Sequence, residues 1–124
     1  MPMKFTSDHV WIEPLDAGIA KVGITLHAQD ALGDVVFVEF PTVGSSHKKG
    51  DVCGVVESVK VAADLLMPVD GTVTEINATL RDEPALANTD PLAAGWFFKI
   101  ALADPAQLDA LMDASQYGQF SATS

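Results

Sequence analysis

The sequence predicts a mainly β domain, a β-sandwich or partly closed barrel with peripheral helices. Three observations carry this. Short β-prone runs recur along the chain, punctuated by Gly, Pro and Asp turn signals. Two apolar runs lie almost symmetrically about Lys60, with Gly50 ten residues before it and Gly71 eleven after. Only two stretches read as helices of more than one turn, a short one near the start and one at the end.

Lys4-Phe5-Thr6 and His9-Val10-Trp11-Ile12 are β-prone runs separated by Ser7-Asp8, and Pro14 ends the second. After the Asp16-Ala17-Gly18 turn, Ile19–Ile24 alternates, placing Ala20, Val22 and Ile24 on one face. Thr25 is an N-cap for a helix over 26–32, and Gly33 ends it in the C′ position. Val35–Phe40 is a strand closed by Pro41, apolar on both faces and so expected in the interior. The loop 44–51 leads into a hairpin over about 50–71, with Lys60 near its tip and a glycine turn at each far end. Thr72–Ile76 suits an outer strand. Residues 81–88 read as one helical turn, with Asn88 near its C-cap. Trp96–Leu102 is the last strand, with Trp96, Phe98, Ile100 and Leu102 facing the core. Asp104, Pro105 and Gln107 form a capping-box pattern that opens a C-terminal amphipathic helix over about 105–117.

The length of 124 residues suits one domain, 1–124, able to bury about two-thirds of its unfolded surface. With 48% apolar and 19% charged residues the chain has the composition of a folded globule. Seventeen acidic against seven basic residues give a net charge of −10, which repels a phosphate backbone and excludes nucleic acid. That charge either aids solubility or steers the chain toward basic protein surfaces. No apolar run approaches the ~20 residues needed to cross a bilayer, and the first residues lack a signal-peptide pattern. The expected compartment is the cytoplasm, and the single Cys53, in a strand-like run, is expected to be a buried small hydrophobe.

The parts of a self-sufficient enzyme are missing. His9, His27 and His47 are far apart in sequence and no second cysteine joins them, so no metal site is expected. There is no nucleophile elbow, no phosphate-cradling Gly-rich loop, and no acid pair singled out by its spacing. A small domain can still serve catalysis by carrying a cofactor for other proteins. A tip lysine is ordinarily only an exposed charge, but it also offers a primary amine on a stiff support.

Gly50-Asp51-Val52, Glu57-Ser58-Val59-Lys60, Ala62, Asp64, Pro68-Val69 and Gly71 resemble the lipoyl-attachment segment of the glycine cleavage system H protein family. Ordered matches span the chain: His9-x-Trp11, Val22-Gly23-Ile24-Thr25, Leu32-Gly33-Asp34, Val36–Glu39, Gly95-Trp96 and Leu108-x-x-Leu111. The resemblance implies a lipoyl/biotinyl-type barrel-sandwich hybrid with lipoic acid joined to Lys60 through an amide. It implies a carrier, not an enzyme. Its cargo would be an aminomethyl group taken from the pyridoxal-phosphate glycine decarboxylase to the folate-dependent aminomethyltransferase. Dihydrolipoyl dehydrogenase would reoxidise the arm, and lipoate-attaching enzymes would install it. Glu57 and Asp64 are retained and become candidate recognition or arm contacts.

The chain departs from the family pattern at Val10, where an acid is usual, at Leu26-His27, and at Ala31. In the family these regions are associated with the cleft that shelters the loaded arm. Three other readings stay open: a lipoyl relay carrier outside glycine cleavage, a biotinyl domain, and an unmodified acidic β-rich interaction module. Val59 and Val61 beside Lys60 replace the methionines that biotin acceptors place there.

Overall fold

Sheet pairing starts at the N-terminus, in a computed structural model that describes residues 3–123. Strand β1 (Lys4–Phe5) pairs with β2 (Val10–Pro14), and β2 pairs with β3 (Ile19–Ile24) through Val10↔Ile24 and Ile12↔Val22. The alternation read from β3 is realised, with Ala20, Val22 and Ile24 buried. Trp11 lies opposite Gly23, where a Cβ would come within 2.5 Å of the indole. The missing side chain lets the indole lie against the sheet, fully buried, with Nε1 donating to the Pro91 carbonyl at 2.9 Å. Helix α1 (Leu26–Leu32) is capped as expected: the Thr25 hydroxyl accepts from the Ala28 amide, and Gly33 ends it at φ 76°.

The remaining strands are β4 (Val35–Glu39), β5 (Ser46–His47), β6 (Val52–Ser58), β7 (Ala62–Leu66), β8 (Gly71–Ile76) and β9 (Phe98–Leu102). They complete a six-stranded sheet in the order β1-β2-β3-β9-β8-β5 and a three-stranded sheet in the order β4-β6-β7. One continuous core joins the sheets: Ile12, Val22, Val73, Phe98 and Ile100 from the larger, Val38, Val56 and Leu65 from the smaller. Each such side chain contributes about 1.5–3 kcal/mol when fully buried, so this layer fixes the platform that carries the hairpin. Among the described residues no helix is long and apolar enough to cross a membrane.

Several expectations are corrected. Strand β4 is an edge, not an interior strand: it pairs with β6 alone, and a register shift between Val35 and Phe37 turns Val36 and Phe37 outward, 54% and 51% exposed. An apolar composition does not reveal which face is covered. Gly50 does turn the chain, at φ 87°, but Gly71 is the buried first residue of β8. β8 has β9 on one flank and the short β5 on the other, so it is not the outermost strand. Residues 81–88 are not one turn but the end of helix α2 (Ala78–Asp82), a turn, and the start of helix α3 (Leu86–Thr89), with Asn88 inside α3. Phe97 is fully buried, whereas Trp96 precedes β9 and is half-buried beneath the Lys99 ammonium.

The C-terminal helix over about 105–117 is also corrected. Pro105–Ala110 is a 3-10 helix, Leu111 is extended, and Met112 bridges Phe5 of β1. Helix α4 (Ala114–Thr123) follows and runs through Gly118. Asp104 caps the 3-10 segment, but Gln107 accepts from the Asp70 amide instead of closing a capping box. The reciprocal box forms at Asp113 and Gln116, where each side chain accepts from the other's amide at 3.0 and 2.8 Å.

Candidate functional site

The tip of the β6–β7 hairpin is held by Ser58. Its hydroxyl accepts from the Lys60 and Val61 amides, both at 3.2 Å, and donates to the Val61 carbonyl at 3.1 Å. The Ser58 amide closes the turn on the Val61 carbonyl at 2.9 Å. A short hydroxyl that satisfies two turn amides makes the loop stiff without a glycine. Val59, Lys60 and Val61 are exposed, as expected for a presented amine. Lys60 makes no ion pair among the described residues, where the pairs are Lys21–Glu13 and Lys99–Glu75.

The tip is not free-standing. The Val59 amide donates to the Asp34 carbonyl at 3.0 Å, joining it to the junction between α1 and β4. The Lys60 stem lies over Gly33, where a Cβ would stand 3.2 Å from Cε and 3.6 Å from Nζ. Gly33 is fixed in turn by Asn88 of α3, whose Nδ2 donates to the Gly33 carbonyl at 2.7 Å and to Gln29 Oε1 at 3.1 Å. Asn88 Oδ1 accepts from the Val35 amide at 2.8 Å. Sequence reading placed Gly33 as a helix end and Asn88 as a cap, and so missed both as supports for Lys60. Contacts across more than fifty residues leave no local pattern.

Glu57 and Asp64 share the outward face of the small sheet. Register aligns Phe37, Glu57 and Ala62 in one row and Glu39, Val55 and Asp64 in the next. Both acids are exposed, and neither is hydrogen-bonded or ion-paired to Lys60. Of the departures, Val10 is buried in the core, while Leu26 and Ala31 are exposed on α1.

Elsewhere the reactive groups are quiet. Cys53 is buried and donates to the Leu65 carbonyl at 3.2 Å, and burial pushes its thiol up to about 12. Among the described residues no three His, Cys, Asp or Glu gather as metal ligands. The histidines, distant in sequence, are not all distant in space: His9 stacks on His27 with ring centroids 4.1 Å apart. The site therefore offers one exposed, braced amine with no adjoining catalytic group.

The sequence pattern of the Glycine cleavage H-protein family matches residues 3–124. The chain is 52% identical over 122 residues to the glycine cleavage system H protein of Phenylobacterium zucineum (strain HLK1), covering 98% of this chain and all of that one. It is 50% identical over 120 residues to the protein of the same name from Acidiphilium cryptum (strain JF-5), covering 97% and 96%. The crystal structure of a glycine cleavage system H protein from Mycobacterium marinum superposes with a TM-score of 0.86 at 40% identity, over 95% of each chain. The two-sheet architecture is thus the barrel-sandwich arrangement of that structure.

Proposed function

The chain belongs to the glycine cleavage H-protein family, and we propose that Lys60 is where it bears its cargo group, lipoic acid in amide linkage to Nζ. A protein of this family is a carrier component of the system rather than an enzyme. The observation that carries the assignment is the braced tip: one exposed amine, free of ion pairs among the described residues, on a turn held by Ser58 and Asp34. The residues present fit the group, because the stem lies in a shallow trough at Gly33, where a Cβ would crowd it at 3.2 Å.

A lipoate-attaching enzyme supplies the carboxyl as an activated acyl group. Nζ sheds its proton, attacks the acyl carbon and releases the activating group, and the ammonium charge is lost. Glu57 and Asp64 offer that enzyme carboxylates on the face below the tip, to be read as recognition contacts. When bound, lipoate would supply a disulfide able to accept and release an aminomethyl group, with glycine decarboxylase, the aminomethyltransferase and dihydrolipoyl dehydrogenase as the enzymes that would use it. The chain's own residues hold the base of the arm still while its length reaches three active sites. Residues 1–124 act as a single lipoyl-bearing domain in a cytoplasmic setting, whose reducing poise suits the unpaired Cys53.

The test has two stages. Intact mass of the protein from its native cell shows one lipoyl increment, absent in Lys60→Ala. The lipoylated protein then supports glycine-dependent carbon dioxide exchange with its own decarboxylase, and Lys60→Ala abolishes it. A biotin increment or no increment removes the lipoyl assignment. A lipoyl increment without exchange removes the glycine-cleavage role and leaves a relay carrier.

A further inference from the structure

Lys60 is reached from two neighbouring backbone positions, and a residue of α3 holds both. The turn amide of Val59 hangs on the Asp34 carbonyl, the lysine stem lies over Gly33, and Asn88 binds the Gly33 carbonyl and the Val35 amide, on either side of Asp34. Asn88 uses its whole amide for this: Oδ1 takes the Val35 amide, while Nδ2 gives one hydrogen to Gly33 O and the other to Gln29 Oε1. A side chain so employed holds three backbone or side-chain groups in one relative position. Gly33 is the complement. Its φ of 76° and ψ of −155° lie in a region essentially reserved for glycine, and a Cβ there would stand 3.2 Å from Lys60 Cε, close enough to push the lysine stem off its present line.

We propose that Asn88 and Gly33 are positioning residues for Lys60: Asn88 locks the 33–35 backbone as a platform, and Gly33 leaves the trough along which the amine is presented. The inference rests on the reading of Lys60 as the acylated residue, and it adds the device that fixes where the amine stands. Neither residue touches the reacting carbonyl. Both act through the lysine and its turn. An activated acyl group demands a defined line of attack, and misplacing the nucleophile by about 1 Å can lower a rate by up to ~100-fold.

The experiment uses the full chain, free lipoic acid, ATP and a purified lipoate ligase, well below the unfolding temperature of each variant. Asn88→Ala is expected to lower kcat/KM for acylation of Lys60 about tenfold. Amide exchange reads the platform directly. In Asn88→Ala the Val59 amide, held by Asp34, exchanges faster, while the Ser58 amide, held within the turn by Val61, keeps its rate. Gly33→Ala is expected to slow acylation further. Gly18→Ala, at φ 75° with nothing within 4 Å of its Cβ, is expected to leave acylation at the wild-type rate.

Acylation of Asn88→Ala at the wild-type rate would overturn the proposal. So would equal acceleration of Val59, Ser58 and core amides, because that pattern reports only lost global stability. Equal slowing in Gly33→Ala and Gly18→Ala would remove the role of the trough. Should wild-type Lys60 not be acylated at all, the carrier reading falls, and the Val59-to-Ser58 exchange ratio still decides whether Asn88 holds the tip.

Discussion

His9 and His27 lie eighteen residues apart in sequence, and the fold stacks their rings 4.1 Å apart with an interplanar angle of 16°. Two imidazolium ions so placed would repel, and His27 has a buried Nδ1 with no hydrogen-bond partner. His9 Nδ1 is hydrogen-bonded to the Tyr117 hydroxyl at 2.7 Å. Burial pushes the His9 pKa below its ordinary value, the His27 ring lowers it further, and Asp8 opposes both. The fold therefore prefers neutral His9, and the unfolded chain binds more protons between the two pKa values. The stabilisation is complete above the ordinary histidine value of about 6.5 and fades as pH falls through the lowered one. His9→Asn removes this titration while suiting the backbone, since His9 sits at φ 64°, where Asn is tolerated. Urea unfolding of both proteins between pH 7.5 and pH 5.5 is the check. The advantage of wild type over His9→Asn should shrink as pH falls. A constant or widening gap would rule out a neutral His9 in the fold.

At the scale of elements, Tyr117 ties helix α4 to three other parts of the fold. Tyr117 stacks on Phe5 of β1 at 4.6 Å, and its hydroxyl bridges His9 Nδ1 and the Thr25 hydroxyl, each at 2.7 Å. Tyr117→Phe keeps the stacked ring and leaves both partners short of a bond, with Thr25 still capping α1 through the Ala28 amide. The expected loss is about 1–2 kcal/mol, or roughly 4–8 °C in Tm for a chain of this size. An unchanged Tm in thermal unfolding would mean that the Tyr117 hydroxyl adds nothing to the docking of α4. The same helix shows what a sequence discloses. Helix α1 was legible because Thr25 and Gly33 bracket it with caps three to four residues from their partners. Helix α4 was misplaced because two capping patterns stand nine residues apart, Asp104…Gln107 and Asp113…Gln116, and only the second closes. The first was diverted when Gln107 found the Asp70 amide, 37 residues away. The place of Lys60 at a hairpin tip was legible from the β-prone runs on either side of it. Its supports at Gly33 and Asn88 were not, because what joins them is proximity across folded elements rather than any spacing along the chain.

For the molecule as a whole, charge sets a further expectation. The net charge of −10 is spread over a body with a radius of gyration of about 14 Å, against about 36 Å for the unfolded chain. At 10 mM salt the Debye length of about 30 Å matches the size of the folded domain, so its carboxylates repel one another across the whole molecule. At 150 mM it falls to about 8 Å, and only near neighbours interact. Treating each state as a uniformly charged sphere in water, this screening favours the compact state by roughly 2 kcal/mol. The opposing effect is the weakening of attractive pairs. Lys21–Glu13 at 3.7 Å and Lys99–Glu75 at 3.5 Å are partly exposed, and such pairs contribute about 0–1 kcal/mol, of which short-range screening removes only part. Repulsion should win. Tm at pH 7 is expected to rise by several degrees between 10 and 150 mM NaCl. Acylation of Lys60 removes one more cation, taking the net charge from −10 to −11, so the lipoylated protein should show the steeper rise. A Tm that stays flat or falls with salt would place the balance with the ion pairs, and would mean that the acidic surface is arranged to avoid its own repulsion.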